Sequence, residues 1–413
     1  MILDRKSFFS FERDELMIRH KKKVMVFGVF LLIILFVFII ILMVHVKKTD
    51  AVVFSDVLSC SYREKVSVDR FIRKLDGTLL DNYWVDTSTV GKKKLEIQYK
   101  NRYGFIEQKK FEIEVKDVVA PIIVVNNPYT VVEGEVSDLL DVIFCADDYD
   151  DGVKCVISGE YDLNRIGQYH LKIEAQDKSG NEAEKEFTLN VVKKEKKSNS
   201  SQVKYTDFKD FYQKYNDSSV EIGLDISKWQ GEVDYAKIAN EGVSFVMLKV
   251  GGQTEIGGEY IVDPSFDDNI EGALENGLKV GVYFYSYAKS EIEAKKQARW
   301  VVQKVKDYEL ALPIAFDWEN WARYSTFGIG FRTLNKVAES FIEEVKRYHY
   351  EGILYSSKYY LENIWHQDDY VKWLAYYNEY NEIEDDYFLW QVCNDGKING
   401  INGSVDIDIL KVR

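Results

Sequence analysis

Four carboxylates stand near the ends of apolar runs in the second half of the chain. Asp225 lies in GLDIS, Asp317 and Glu319 lie in AFDWEN, and Asp406 lies in VDIDIL. Asp317 and Glu319 are two residues apart, so on a β-strand they point to the same side, with roughly 6.5–7 Å between their Cα atoms. Like charges held close in an aromatic-rich cleft raise the pKa of one carboxyl group, which then stays protonated near neutral pH. A protonated acid beside an ionised carboxylate is the arrangement that hydrolysis of a glycosidic bond requires.

The region that must position these acids alternates short buried strands with helices. Eight apolar runs predict strands: EIGLDIS, VSFVMLKVGG, KVGVYFYSYA, LPIAFDWE, GILYSS, KWLAYYN, YFLWQV and SVDIDIL. Helical patterns fall between the early runs, over residues 233–240, 264–276, 290–306 and 333–348. Such alternation predicts a parallel α/β barrel over residues 219–413, with the acids at the carboxyl ends of the strands. The last strands have connections too short for full helices, so we expect an irregular, TIM-like barrel.

Five segments in this region resemble, in order, the glycoside hydrolase family 25 lysozymes (N-acetylmuramidases). They are GLDISKWQG, DPSFDDNIEGALENGLKVGVYFYSYA, PIAFDWEN, KWLAYYN and LWQVCNDGKINGINGSVDIDIL. Together they cover residues 220–411, essentially the whole predicted barrel. The resemblance implies hydrolysis of the β-1,4 bond between N-acetylmuramic acid and N-acetylglucosamine in peptidoglycan, and we expect neither a cofactor nor a metal.

The resemblance also implies roles for the four carboxylates. Glu319 matches the general acid that protonates the glycosidic oxygen. Asp317 matches the residue that stabilises charge at the anomeric centre or steers the N-acetyl group of the substrate. Asp225 and Asp406 complete the acidic cleft, with electrostatic or positioning roles.

Aromatic residues are candidates for contacts with the sugar. Tyr283 and Tyr376 match tyrosines that line the sugar sites of the family, and Trp390 is a further candidate. The family often has L-W-Q-Y where this chain has LWQV, so a wall contact from that tyrosine is lost at Val392. Alternation along the strand places Trp318, between Asp317 and Glu319, on the opposite face, which favours the barrel core.

Other interpretations of these residues remain open. Asp317 and Glu319 could form a structural ion pair with Arg323, and Asp406 with Asp408 could form a metal-binding pair. We expect Asp408 to be solvated or turned outward. The barrel could also bind peptidoglycan without turnover, or the chain could serve envelope assembly through a protein partner.

Residues 50–192 contain an internal repeat. A shift of 76 residues aligns two copies without a gap, placing Gly91 on Gly167, Leu95 on Leu171 and Phe111 on Phe187. Period-2 alternation predicts two all-β modules, over residues 50–118 and 119–192. They resemble the immunoglobulin-like modules of bacterial surface proteins. In the second copy, DKSGN predicts a turn, whereas the first copy has NRYGF there.

Two features of the second copy are ambiguous. The acidic run Asp147, Asp148, Asp150 and Asp151 could bind Ca²⁺, although a solvated loop is the favoured interpretation. Cys145 and Cys155 could form a disulfide, but spacing alone does not decide this. A charged, Ser-rich stretch then predicts a flexible linker over residues 193–218.

Residues 24–46 form an apolar run that is long enough to cross a membrane as a helix. Lys and Arg residues are concentrated before it, so the positive-inside rule predicts that residues 1–23 are cytoplasmic and that everything after the run is outside the cell. We therefore expect a single-pass protein of the cell membrane. The alternative is a cleaved signal peptide, but the run is longer than usual for one.

Composition limits the remaining function classes. The 413 residues carry a net charge of −14, which argues against nucleic acid as the main partner. Four cysteines in so long a chain exclude a disulfide scaffold. The sequence therefore predicts a multidomain protein with an anchor, two β modules and one catalytic barrel.

Overall fold

A computed structural model describes residues 5–48, 52–194, 205–377 and 387–412. The chain divides into two compact units, Met1–Asp117 and Val118–Arg413. The second β module and the barrel therefore belong to one unit. Residues 195–204 of the predicted linker lie outside the described residues.

The first unit begins with one long helix, α1 (Arg5–Lys48). Within it, Met17–Ile41 is long and apolar enough to cross a membrane, and none of the most apolar window is buried in the protein. By length and composition, this helix could be a membrane anchor or a signal sequence.

The first β module consists of six short or medium strands. They are β1 (Val52–Phe54), β2 (Ser59–Ser61), β3 (Ile72–Leu75), β4 (Gly77–Leu79), β5 (Gly91–Asn101) and β6 (Ile106–Lys116), with a 3₁₀ turn at Val68–Phe71. Four of them form a sheet in the order β2-β6-β5-β4, and β1 pairs with β3.

The second module has the same number of strands. They are β7 (Ile122–Val124), β8 (Tyr129–Val132), β9 (Phe144–Ala146), β10 (Lys154–Ser158), β11 (Gly167–Gln176) and β12 (Glu182–Val192), with a 3₁₀ turn at Leu139–Asp141. The main sheet has the order β8-β12-β11-β10, and β7 pairs with β9. A disulfide joins Cys145 to Cys155, which answers the question that the spacing left open.

The repeat predicted from sequence is present in the strand register. Leu95 pairs with Phe111 in the β5–β6 hairpin, and Leu171 pairs with Phe187 in the β11–β12 hairpin, which is the same pairing shifted by 76 residues. The hairpin turns also correspond. Asp177 Oδ1 accepts a hydrogen bond from the Asn181 N–H at 2.8 Å. In the first module Asn101, at the equivalent position, accepts from the N–H groups of residues 103 and 105. The NRYGF sequence therefore keeps the turn with a different capping residue.

The barrel contains all eight predicted strands. They are β14 (Val220–Ile226), β15 (Phe245–Gln253), β17 (Lys279–Tyr285), β18 (Ile314–Asp317), β19 (Gly352–Ser357), β20 (Lys372–Ala375), β21 (Leu389–Lys397) and β22 (Val405–Lys411). Neighbouring strands pair in this order and β22 returns to β14, so the barrel is closed. A short strand, β16 (Tyr260–Val262), pairs with β15 at its edge.

Helices cover the outside of the barrel where the sequence predicts them. They are α3 (Tyr235–Asn240), α4 (Phe266–Glu275), α5 (Glu291–Val305) and α6 (Phe331–Lys346), with a shorter α7 (Lys358–Asn363) after β19. 3₁₀ turns lie at Lys228–Gln230, Trp321–Phe327 and Gln367–Asp369. The apolar faces of the α-helices pack against the outward residues of the strands, because an amphipathic helix buries one stripe of its surface.

Two expectations about this region are wrong. The barrel is not fully parallel, since β22 runs antiparallel to both β14 and β21. The predicted linker also ends earlier than residue 218. β13 (Thr206–Asp207) pairs with β21, and α2 (Phe208–Tyr215) packs Phe208 and Phe211 into the barrel core. Two buried aromatic side chains hold this segment to the barrel.

Candidate active site

Strand alternation determines which side chains enter the barrel. On β18, Ile314 and Phe316 belong to the core between strands and helices, whereas Ala315 belongs to a separate cluster inside the barrel. Asp317 has the same parity as Ala315 and therefore points inward. The same rule places Asp225 of β14 inside, because its neighbours Leu224 and Ile226 face the outer core.

The four predicted carboxylates meet in one cleft of about 470 Å³. Asp225, Asp317, Glu319 and Asp406 all line this cleft. The antiparallel direction of β22 is what brings Asp406 there, because the start of that strand lies beside the carboxyl end of β14. Asp225 and Asp406 are direct register partners in the β14–β22 pair.

Asp317 and Glu319 occupy different environments within the cleft. Asp317 is buried. Its burial, and to a smaller extent the charge of Glu319, raise the pKa of its carboxyl group well above the usual range. Glu319 is exposed at the rim, but the surrounding cleft walls still raise its pKa by desolvation. A hydrogen bond with Tyr355 and the charge of Lys249 oppose that rise. The exposed acid can therefore reach a substrate while retaining affinity for its proton.

Asp225 and Asp406 are held by one amide, that of Gln391, which no sequence motif indicated. The Nε2 of Gln391 donates to Asp225 Oδ2 at 3.1 Å and to Asp406 Oδ2 at 3.0 Å. Its Oε1 accepts from the hydroxyl groups of Tyr355 at 2.9 Å and Tyr377 at 2.8 Å. Both N–H groups and both lone pairs of the amide are used, so its orientation is determined by its partners.

Burial raises the pKa of both carboxyl groups that Gln391 bridges. For Asp225 the rise is large, and the charges of Asp406 and Asp408 add to it, whereas a hydrogen bond with Tyr283 opposes it. For Asp406, burial and the charge of Glu319 raise the pKa to about 6. The cleft therefore holds more acid groups than it can ionise together near neutral pH.

Asp408 is not solvated, contrary to expectation. It is fully buried, and Trp373 Nε1 donates a hydrogen bond to its Oδ1 at 2.8 Å. Burial and the charge of Asp406 raise its pKa well above the usual range. It lies inward because it has the same parity as Asp406 on β22, and closure of the barrel buries it.

The three predicted aromatic contacts separate into two groups. Tyr283 lines the cleft and hydrogen-bonds Asp225. Trp390 does not line the cleft, since it is buried in the outer core and its Nε1 donates to the carbonyl oxygen of Tyr376 at 2.8 Å. Tyr376 packs against the same outer core, with Lys358 Nζ 4.9 Å from the centre of its ring. Trp390 on β21 and Tyr376, directly after β20, both have outward parity, which is the physical reason that they lie away from the cleft.

Other aromatic residues line the cleft instead. Tyr377, next to Tyr376, has the inward parity and reaches the cleft. Trp229 lines it with 78% of its surface exposed. Trp318 is fully buried in the outer core, as the alternation predicts.

Lys249 is the basic residue among the described residues that line the cleft. Its Nζ lies 4.9 Å from the ring centre of Tyr285 and 5.8 Å from that of Tyr283. Its charge lowers the pKa of both Asp317 and Glu319. Lys249, rather than the suggested ion-pair partner Arg323, is thus the positive charge that acts on the two acids. A lone lysine in the apolar run VSFVMLKVGG was the sequence signal that could have identified it.

Comparisons with known proteins agree with the barrel assignment. The model of the glycosyl hydrolases family 25 matches residues 224–401. An uncharacterized protein, YegX of Escherichia coli O6:H1, is 28% identical over 193 residues, covering 46% of this chain and 68% of YegX. An autolytic lysozyme of Clostridium acetobutylicum is 27% identical over 189 residues, covering 45% of this chain.

The chain spans 54% of the length of that autolytic lysozyme. Among solved structures, a family 25 glycosyl hydrolase from Bacillus anthracis aligns with a TM-score of 0.42 and 22% identity, covering 52% of this chain and 95% of that one. Residues 224–401, which form most of the barrel, are thus similar to the glycosyl hydrolases family 25.

Proposed function

We propose that the chain cleaves the β-1,4 bond between N-acetylmuramic acid and N-acetylglucosamine in peptidoglycan, with Glu319 as the general acid. The observation that carries this proposal is the pairing of an exposed acid, Glu319, with a buried carboxyl group, Asp317, in one cleft at the carboxyl end of β18. The name of the clostridial relative, an autolytic lysozyme, supports the same substrate.

Glu319 protonates the oxygen of the bond that breaks. Its raised pKa keeps a proton available, and its exposure at the rim lets it approach the glycosidic oxygen. Asp317 lies deeper, at the carboxyl end of β18. The charge of Glu319 is one cause of its raised pKa, so a proton held by Glu319 favours ionisation of Asp317. The Asp317 carboxylate then stabilises the positive charge that develops at the anomeric carbon, or orients the N-acetyl group.

Asp225 and Asp406 act through the field of the cleft rather than by proton transfer to the substrate. Gln391 holds them in place with its two N–H groups. Tyr283, Tyr377 and the exposed Trp229 supply surfaces on which sugar rings can pack.

We also propose that this domain is anchored at the cell surface. The helix over Met17–Ile41 anchors the chain in the membrane, and the basic residues Lys21, Lys22 and Lys23 hold its N-terminal side in the cytoplasm. The two repeated modules, with an immunoglobulin-like fold, then lie outside the cell and hold the hydrolase away from the membrane. An envelope protein that binds the modules remains a separate hypothesis.

The test compares the full chain, purified in detergent, with its Glu319→Gln variant on purified peptidoglycan. We expect release of reducing ends by the unmodified chain and a loss of about 10²–10⁴-fold in the variant, because general acid catalysis contributes that much. Glu309→Gln, an exposed residue after α5, is the matched control and should keep full activity. Equal activity of the Glu319 variant would show that Glu319 is not the general acid. Binding of peptidoglycan without product release by the unmodified chain would support a binding module instead.

A further inference from the structure

The acidic run of the second module contacts the barrel at the segment that follows Glu319. Two names are useful here: the docking loop, residues 147–151, and the exit segment, residues 320–331. Both belong to the same compact unit. The docking loop is therefore not a freely solvated loop, which corrects the favoured interpretation of its sequence.

The docking loop caps a helix that is not its own. Gly330, the N-cap of α6, has no side chain to cap the helix, and its N–H instead donates to Asp151 Oδ1. Thr333 donates its hydroxyl to Asp151 Oδ2 at 3.1 Å, and the Phe331 N–H donates to the carbonyl oxygen of Asp147 at 2.8 Å. A carboxylate at this position satisfies the first N–H groups and favours the positive end of the helix dipole.

Gly330 lies so close to the backbone of the docking loop that any larger residue would force one of the two segments to move. A Cβ on Gly330 would lie 2.5 Å from the carbonyl oxygen of Asp150. Arg332 adds a contact from the next turn, with its guanidinium 4.7 Å from the centre of the Tyr149 ring. The two surfaces are therefore packed backbone against backbone.

A second set of contacts runs through aromatic rings from the module to Trp318. Phe144 of β9 packs against Tyr324 with ring centres 4.9 Å apart, and Tyr324 packs against Trp318 at 5.7 Å. Trp318 lies between Asp317 and Glu319 and also contacts Phe327 at 4.6 Å. The module thus buttresses the back of the strand end whose front carries the acids.

The loop itself is braced within the module. The Cys145–Cys155 disulfide joins β9 to β10 and closes the loop on both sides. The N–H of Lys178, in the DKSGN turn, donates to Asp150 Oδ2 at 2.9 Å, and its Nζ donates to the carbonyl oxygen of Asp151 at 2.9 Å. A braced loop can position its partner, because little of its own conformation is left to adjust.

We propose that the second β module is a positioning element of the active site, which holds the exit segment through Asp151 and Phe144 and thereby fixes Glu319. The inference rests on the proposed function for its kinetic part. Its structural part, protection of the exit segment by the module, stands without it.

The test uses the full chain in detergent with Asp151→Ala, Gly330→Ala and the double variant. Amide hydrogen exchange of residues 320–331 should become about 10-fold faster or more in the double variant, since a lost cap and a forced shift open the contact. On glycan fragments, kcat should fall by about 10-fold while KM stays within about 2-fold, because a small displacement of Glu319 affects the transition state rather than binding. Asp151→Asn keeps an acceptor for the Gly330 N–H and should restore most of both values.

Asp162→Ala is the matched control, because its carboxylate accepts a hydrogen bond within the same module, from the Asn164 N–H. Melting curves of each variant show whether the chain is folded. Unchanged exchange in both single variants, or faster exchange with unchanged kcat in an active enzyme, overturns the positioning role. An inactive unmodified chain whose exit segment still exchanges faster in the variants overturns the proposed hydrolysis and leaves the docking intact.

Discussion

The two ends of the barrel interior are lined by the same strands but have opposite chemistry. At the amino ends of the parallel strands the inward residues are apolar: Phe245, Met247, Ala315, Ile353 and Leu389. Two residues beyond Met247 on β15, Ala315 on β18 and Leu389 on β21, the inward positions hold Lys249, Asp317 and Gln391. Strand alternation thus selects which residues point inward, and position along the strand separates stabilising residues from reactive ones.

The two ends should therefore have opposite effects on the stability of the fold. The apolar end stabilises the fold by burying surface, whereas the acidic end buries ionisable groups with raised pKa values, which destabilises the fold at neutral pH. Substitutions at the two ends should therefore separate activity from stability.

Among the substitutions that compare the two ends of the barrel, Asp317→Asn should have the largest effect. The amide keeps the shape of the side chain but removes the charge, so we expect kcat to fall by about 10²–10³-fold without loss of folding. Steady-state kinetics on soluble glycan fragments measure this, with Asp307→Asn, an exposed residue after α5, as the control. A fall of less than twofold would show that the buried carboxyl group has no part in the reaction.

Leu389→Ala tests the apolar end. Leu389 is fully buried, and its truncation should lower the free energy of unfolding by about 2–5 kcal/mol through lost burial and a cavity. Denaturant unfolding measures the loss, and kcat well below the melting temperature should remain within about twofold. A large fall in kcat while the variant is still fully folded would mean that the apolar end also contributes to activity.

Gln391→Met tests the amide that bridges Asp225 and Asp406. Because N–H donors stabilise ionised carboxylates, their removal should raise the pKa of Asp406 further above its value of about 6. We expect a loss of about 10-fold in kcat/KM at pH 6 and a smaller loss at higher pH, where the carboxylate ionises again. The pH–rate profile reports this shift, and Gln303→Met on α5 is the exposed control. A uniform loss at every pH would contradict the electrostatic role.

Asp408→Asn should give the smallest effect, and in the stabilising direction. The pKa of Asp408 is raised in the folded chain, so its contribution to stability is full below the unfolded pKa and is lost as pH rises through the folded pKa. The amide can still accept from Trp373 Nε1 and should raise the free energy of unfolding at pH 7 by about 1 kcal/mol. Thermal unfolding at pH 7 and at pH 4 measures it. The gain should shrink at pH 4, and a variant that is less stable at pH 7 would contradict the account.

Much of this architecture could be predicted from local patterns. Hydrophobic periodicity located eight strands and four helices, and self-similarity located the repeat with its register. The direction of β22 could not be predicted, because nothing local distinguishes a parallel from an antiparallel strand of this length. The burial of Asp408 follows from the way β22 closes the barrel, so it could not be predicted either.

Two predicted sugar contacts lie away from the cleft for a different reason. Tyr376 matches a tyrosine of the family's W-x-A-Y segment and Trp390 lies in LWQV, but the parity of both residues places them in the outer core. Applied consistently, the same alternation that identified Trp318 as core would have pointed to Gln391 and Tyr377. The contact of Asp151 with α6 joins residues 179 positions apart, and no local pattern carries that information.

The sugar at the reducing ends that the enzyme releases distinguishes a muramidase from other glycosidases. Peptidoglycan digested by the full chain can be reduced with borohydride, hydrolysed and analysed for the reduced sugar. The account predicts reduced N-acetylmuramic acid as the product, and its loss with Glu319→Gln. Reduced N-acetylglucosamine, or the same muramic acid yield from the variant, would contradict it.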